Sequence, residues 1–183
     1  MKVSREQVAE NRRRILEAAA RLFRAKGFEA VTVAEVMKAA GLTHGAFYGH
    51  FQSKDDLIAQ ALAHVLRAST PADADLTAYA EGYLSPRHRD DVAGGCPTAG
   101  LGGETLRQGA EARAAMTEGL RRQIETFART APGDTPASRR QAAIGAWAAM
   151  VGAVILSRVS DDPDLADEIL DATRAWIGDR APT

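Results

Sequence analysis

Apolar residues recur at helical spacing from the start of the chain. Val8, Ile15 and Leu22 repeat every seven residues, and Leu16, Ala19 and Phe23 sit beside them, which predicts one apolar face on a helix of about residues 4–26. Ser4 followed by Gln7 fits a capping box at its start, and Gly27 suits the left-handed position past its end. A second box, Thr32 with Glu35, opens a short helix ending near Ala40, with Val31 and Val36 placed as a hydrophobic staple. Gly41 ends that helix and Thr43 can cap another at once, over about 44–50, so only "GLT" separates the two. Ser53 begins a fourth helix, with Asp56 at its third position. Further helices are predicted over about 73–84, 97–107, 111–130, 137–159 and 164–178. The breaks fall at "TPAD", "SPRHRDDVAGG", "APGDTP" and "SDDPD". The expectation is an all-α chain of about nine helices. Residues 1–52 form a three-helix, helix-turn-helix domain, and residues 53–183 a second helical domain.

The stretch "GLTHGAFYGHFQSKDDL" (41–57) is a poor helix by propensity, yet strong helical patterns flank it. A helix-turn-helix needs such an element, because its second helix enters the DNA major groove N-terminus first. Gly45 and Ala46 lack bulk and permit close approach of backbone to base edges; Thr43 and His44 lie at the leading end. Tyr48 and His50 carry polar tips suited to phosphate oxygens, and Lys54 adds a charge at the next helix start. Thr32, Arg5 and Lys2 complete the candidate DNA-contacting set, the last two as a short basic arm. Phe47 and Phe51 are expected as apolar anchors. Of Arg12, Arg13 and Arg14, at most one or two can face DNA, since successive helical side chains point about 100° apart. His44 and His50 are six apart, which is not a same-face spacing, so no metal site is expected.

Charge sharpens this division. The net formal charge is −1, yet residues 1–55 hold ten Lys and Arg against six Asp and Glu, and the remainder holds thirteen against eighteen. A basic end on an acidic body suits an anionic partner at one end only, and argues against a non-specific architectural DNA binder, the alternative reading. The single cysteine, Cys96, excludes an internal disulfide and fits a reducing compartment. "MKVSREQVAE" has no apolar signal region, and the apolar run 142–156 is shorter than the roughly 20 residues that span a bilayer, so a cytoplasmic protein with no membrane partner is expected.

The segment "TVAEVMKAAGLTHGAFYGHFQSKDDL" (32–57) resembles the DNA-binding domain of the TetR family of bacterial regulators. Gly41, Thr43, Gly45, Tyr48, His50, Phe51, Ser53 and Lys54 each match the family pattern, and the resemblance covers about residues 5–60. It implies a homodimer whose two recognition helices read a pseudo-palindromic operator, usually as a repressor released by a small-molecule effector. His44 and Gly49 fall at positions that vary with the operator.

Ala142, Gly145, Ala149 and Gly152 recur at three- and four-residue steps and form a face without bulk, with Trp147, Met150, Val154 and Ile155 as apolar area. Leu165, Ile169, Leu170, Trp176 and Ile177 lie on the following helix. In the resemblance two such helices per subunit make an intersubunit bundle. Further upstream, "RDDVAGGCPTAGLGGETL" (89–106) is no phosphate loop, lacking Gly-Lys-Ser/Thr. Pro97 suits the first helical position, which puts Cys96 at the N-cap, where the helix dipole favours a thiolate. The glycines before it would leave it accessible, with Arg87 and Arg89 nearby. This resembles TetR regulators with a Gly-Cys-Pro segment, and makes Cys96 a candidate sensor. A small buried structural cysteine fits the same residues. Tyr79, Tyr83, Leu101, Leu106, Met116, Leu120, Trp147 and Met150 are candidates for an apolar effector pocket. No cofactor is implied. Catalysis would rest on Cys96 with His88, eight residues apart and lacking a third orienting group, so no enzyme is expected.

Overall fold

The computed structural model describes residues 4–179, which form helices and no strands. In chain order these are α1 (Arg5–Lys26), α2 (Val33–Ala39), a 3-10 helix (His44–Gly49), α3 (Lys54–Ala68), α4 (Leu76–Tyr83), α5 (Pro86–Asp90), α6 (Pro97–Thr105), α7 (Ala110–Phe127), α8 (Pro136–Val159) and α9 (Pro163–Gly178). The expected all-α class holds. The unexpected element is α5, in a segment read as a break; its signal was Ser85-Pro86, since Ser85 caps it and Pro86 occupies its first turn.

The chain divides into two packing units. The first takes residues 1–69 with 100–119, the second residues 70–99 with 120–183. α3 therefore groups with the helix-turn-helix, and its Leu66 also lies against Gly119 of α7. The first unit's core holds Ile15, Ala19 and Phe23 of α1, Val36 and Met37 of α2, Phe47 of the 3-10 helix, Phe28, Val31 and Phe51 between helices, and Leu57, Ile58 and Leu62 of α3. Val8, expected on the same apolar face, is exposed. Val31 and Val36, the staple pair, are both buried.

The N-caps are made, but mostly as half boxes. Ser4 Oγ accepts the Gln7 N–H at 3.1 Å, and the Gln7 side chain turns to Asn11. Thr32 Oγ1 accepts the Glu35 N–H, while the Glu35 carboxylate pairs with Lys26 at 2.6 Å. A reciprocal box forms at Thr135–Ser138. After α2 the backbone closes a Schellman motif: Leu42 N–H donates to Met37 O at 2.9 Å and Gly41 N–H to Lys38 O at 3.0 Å. Gly41 takes φ +69°, and a Cβ there would meet Arg14 Nη2 at 2.6 Å. That sets the tight turn.

In the second unit α8 and α9 pack against each other, over a core of Leu76, Tyr83, Leu84, Phe127, Trp147, Met150, Val154 and Leu170. α8 is 24 residues long, so by length and composition it could cross a membrane; the helix outruns the apolar stretch that suggested otherwise. Seven of its residues, Ala143, Ala146, Trp147, Met150, Ala153, Val154 and Ser157, are buried in the protein itself.

Candidate nucleic-acid interface and sensor segment

The recognition element is a single 3-10 helix, tighter than the α-helical turn expected from its length. Thr43 is its N-cap in backbone conformation, but makes no side-chain capping bond. Its register separates two faces. Phe47 and Phe51 are buried and stacked at 5.7 Å, one helical turn apart, and bolt the element to the core. Thr43, His44, Gly45, Tyr48 and Gly49 are exposed, with Tyr48 73% exposed. Gly45 and Gly49 face open space: a Cβ at either meets nothing within 4 Å. Ala46 and His50 are half-buried, and Thr32 and Arg5 are exposed. Lys54 is partly buried and reaches the Glu29 carbonyl at 3.4 Å. Lys2 lies outside the described residues.

The three arginines have separate duties. Arg13 pairs with Glu10 and Glu17 along α1. The Arg14 guanidinium lies against Gly41. Arg12 turns inward, donating to His50 O and Gln60 Oε1, with its guanidinium 4.5 Å from the centre of the Phe51 ring. Burial first, then the Arg12 charge, lowers the His50 pKa, favouring a neutral imidazole.

In the second unit α6 begins at Pro97, and the Ala99 N–H donates to Cys96 Sγ at 3.4 Å, so the expected cysteine N-cap is formed. Access differs from expectation. Cys96 and Gly95 are buried, because the preceding loop is tied down rather than open. Cys96 N–H donates to His88 Nε2 at 3.0 Å, and His88 Nδ1 lies 2.7 Å from Tyr83 O, which fixes the tautomer with hydrogen on Nδ1. Arg158 donates to the carbonyls of His88 and Arg89 at 3.1 and 2.9 Å. Arg89 pairs with Asp90 and Asp167, so its charge is spent there, and Arg87 is exposed.

The pocket candidates scatter. Tyr79, Tyr83, Trp147 and Met150 join Cys96 and Phe127 in one aromatic cluster, with Leu120 partly buried against it. Burial, and next the neighbouring Cys96, pushes the Tyr79 phenol up to about 12 and Tyr83 further in the same direction. Trp147 Nε1 is buried without a hydrogen-bond partner. Leu101 and Met116 are buried but belong to the first unit, and Leu106 is 77% exposed, so it lines no cavity.

Of the α8 and α9 face, Gly145 and Trp176 are exposed, and Ala142, Ala149, Gly152 and Ile169 half-buried. Trp147, Met150 and Val154 turn inward to the core. Ile144, Ile155, Leu156, Val159 and Leu165 are the large apolar residues left exposed beside that face.

A buried aromatic anchor behind an exposed polar helix start, after a three-residue turn, is the geometry of a helix-turn-helix. Residues 15–61 match the model of the family described as bacterial regulatory proteins, tetR family. The HTH-type transcriptional regulator AcrR of Shigella flexneri is 40% identical over 57 residues, 31% of this chain and 26% of that protein. TtgR of Pseudomonas putida is 38% identical over 78 residues, 38% of this chain and 37% of that one. The chain thus matches a quarter to little more than a third of these relatives' lengths. The fold extends further: reduced E. coli NemR superposes with a TM-score of 0.78 at 22% identity, over 94% of this chain and 98% of the other. TylP, a TetR regulator from Streptomyces fradiae, gives 0.66 at 26% identity over 97% and 89%. The matched relatives are regulators of transcription, not enzymes.

Proposed function

We propose that the chain is a homodimeric, cytoplasmic transcriptional repressor that binds a pseudo-palindromic operator and leaves it when an effector acts on the second unit. The observation that carries this is the split register of the 3-10 helix: Phe47 and Phe51 inside, Thr43, His44, Gly45 and Tyr48 outside. The exposed donors and helix N-terminus on that outer face support reading of a major groove. Thr32, Arg5 and Lys54 flank it as backbone contacts.

Dimerisation through α8 and α9 is supported by the exposed apolar residues Ile144, Ile155, Leu156, Val159 and Leu165. Gly145 and Gly152 have open space where a side chain would stand, leaving room for a second copy's helices. A two-fold interface would match the symmetry of the operator. For the effector, the buried and unpartnered Trp147 Nε1–H favours a neutral apolar molecule carrying an acceptor, lodged among Tyr79, Tyr83 and Met150. Modification of Cys96 is the second route, supported by its N-cap position, and it requires the tied loop to open.

The test is fluorescence anisotropy of the full chain on its own upstream intergenic DNA and on duplexes selected from a random pool, at fixed salt against a scrambled duplex. Sedimentation gives the stoichiometry. A dimer with a preference of at least about a thousandfold supports the reading. Equal binding to all duplexes, falling steeply with salt, would instead make it an architectural protein.

A further inference from the structure

A closed circuit of side chains surrounds the segment that follows the recognition helix. Arg12 of α1 donates one guanidinium nitrogen to His50 O and another to Gln60 Oε1 of α3. Gln60 Nε2 in turn donates to Asp56 Oδ1 at 2.5 Å, and Asp56 Oδ2 accepts the Gln52 N–H at 2.9 Å. The Asp56 N–H donates to Ser53 Oγ at 3.1 Å. The same guanidinium lies over the Phe51 ring. Every residue from His50 to Ser53 is therefore held, by backbone, ring or hydroxyl, from α1 or α3.

We propose that Arg12, acting through Gln60 and Asp56, is the positioning residue of the DNA-reading helix: it fixes that helix's C-terminal end rather than contacting phosphate. The idea rests on the reading of the 3-10 helix as the DNA-contacting element. Its physical basis is that the helix has six residues and few internal hydrogen bonds of its own. An element so short cannot hold Thr43, His44 and Tyr48 to the accuracy that base readout needs, so the precision has to come from outside it. Phe47 and Phe51 fix its depth. Phe47 and Phe51 set which face is buried, and the fork of Arg12 locks the end of the helix at His50, because a planar guanidinium bonded at two nitrogens allows one orientation. The carbonyl it meets is at the C-terminal end, where a cation is also favoured by the backbone dipoles. Lysine, with one point charge on a flexible stem, satisfies one of the two acceptors and leaves the other.

The experiment compares wild type, Arg12→Lys, Arg12→Ala and Gln60→Leu as full chains. Each is titrated with a fluorescein-labelled duplex selected from a random pool by the wild type, and with a scrambled duplex, at several salt concentrations. Amide hydrogen exchange of residues 44–53 is followed without DNA. A tenfold or greater loss on the selected duplex is expected for all three variants, about the cost of one misaligned base contact. Scrambled-duplex affinity and the slope of log K against log salt are expected to stay at wild-type values, with faster exchange at His50 to Gln52. Gln60→Leu carries no charge change, so its loss cannot come from a phosphate contact. The proposal is overturned if Arg12→Lys binds as wild type while Arg12→Ala flattens the slope by about 0.9, the signature of one lost phosphate contact. It is equally overturned if exchange at 50–52 does not change. A wild type that selects no sequence defeats the DNA-reading conclusion; the exchange data still decide whether Arg12 holds the helix.

Discussion

Residues 41–57 and 89–106 are alike in composition and opposite in outcome. Both are glycine-rich, interrupt good helices, and carry the chain's unusual chemistry: His44, Tyr48 and His50 in one, Cys96 with nearby His88 in the other. In the first, the polar groups stand outside. In the second, the cysteine is inside and the histidine is consumed by backbone groups. The difference lies in what pins each segment. Phe47 in the 3-10 helix and Phe51 just past its end are buried, while Tyr48 and Gly49 between them stay exposed and His50 is half-buried. The 89–96 loop has no such pair. It is held because Arg158 donates to the Arg89 carbonyl while His88 and Asp91 accept the Cys96 and Gly94 N–H groups, which leaves no outward face for Cys96. Glycine content reports room for backbone; the placing of bulky apolar residues decides which side the chemistry faces.

The strongest way to break this comparison is at the anchor. Phe47→Ala should destabilise the first unit by about 3–5 kcal/mol, the usual cost of emptying a buried aromatic site, and abolish specific DNA binding. Its neighbour is the control. Tyr48→Phe keeps the ring that packs edge-on to Phe47 at 5.3 Å and removes only the exposed hydroxyl. Stability should move by less than about 0.5 kcal/mol, while affinity for a selected duplex drops about fivefold, one hydrogen bond's worth. Urea denaturation and anisotropy measured together separate the two. Equal stability losses would mean that the two faces are not distinct.

The turn offers a sharper contrast. Gly41 sits at φ +69° with Arg14 against it, whereas Gly45 has no positive φ and open space. Gly41→Ala should cost about 1–2 kcal/mol from the left-handed backbone alone. Gly45→Ala should leave the urea midpoint unchanged or raise it. If Gly45→Ala nevertheless weakens DNA binding, its missing side chain serves close approach to a base edge; if both glycines behave alike in denaturation, the turn geometry is not what demands Gly41.

Much of this was legible because caps and stops are local. Ser4, Thr32, Ser53 and Pro97 mark helix starts that the structure reproduces within a residue or two, and Gly27 and Gly41 take positive φ as expected. What local pattern could not show was which partner a side chain would choose, from 9 to 78 residues away. Arg12, in a run that reads as a basic surface, is drawn inward by His50 and Gln60. Glu35, placed to close a capping box, prefers Lys26. Arg89, placed to raise potential at a thiol, is taken by Asp167, 78 residues on. Leu106 follows an apolar pattern but falls just past the end of α6 and is exposed. Charged groups with several candidate partners are settled by the assembled fold, while glycine and proline obey their own backbone.

The smallest effect expected, and the one that best isolates the buried side of the comparison, is at His88. Its Nε2 accepts the Cys96 N–H and its Nδ1–H serves Tyr83 O, so a proton on Nε2 would set a donor against a donor. Burial is the main reason its pKa lies below the ordinary histidine value; nearby Arg158 works in the same direction, and the Tyr83 carbonyl and Asp91 oppose it. The unfolded chain therefore takes up this proton first as pH falls. The stability His88 contributes is complete above the unfolded pKa near 6.5 and is lost as pH drops through that value towards the lower folded one. Urea midpoints at pH 7.5 and 5.5 should differ more for wild type than for His88→Gln, which cannot titrate. Where pH falls far enough to protonate the folded imidazole and release the Cys96 backbone, the thiol of the wild type should also react faster with a disulfide reagent than that of His88→Gln at the same pH. A thiol rate that simply declines with pH in both proteins would show that His88 does not hold the loop shut over Cys96.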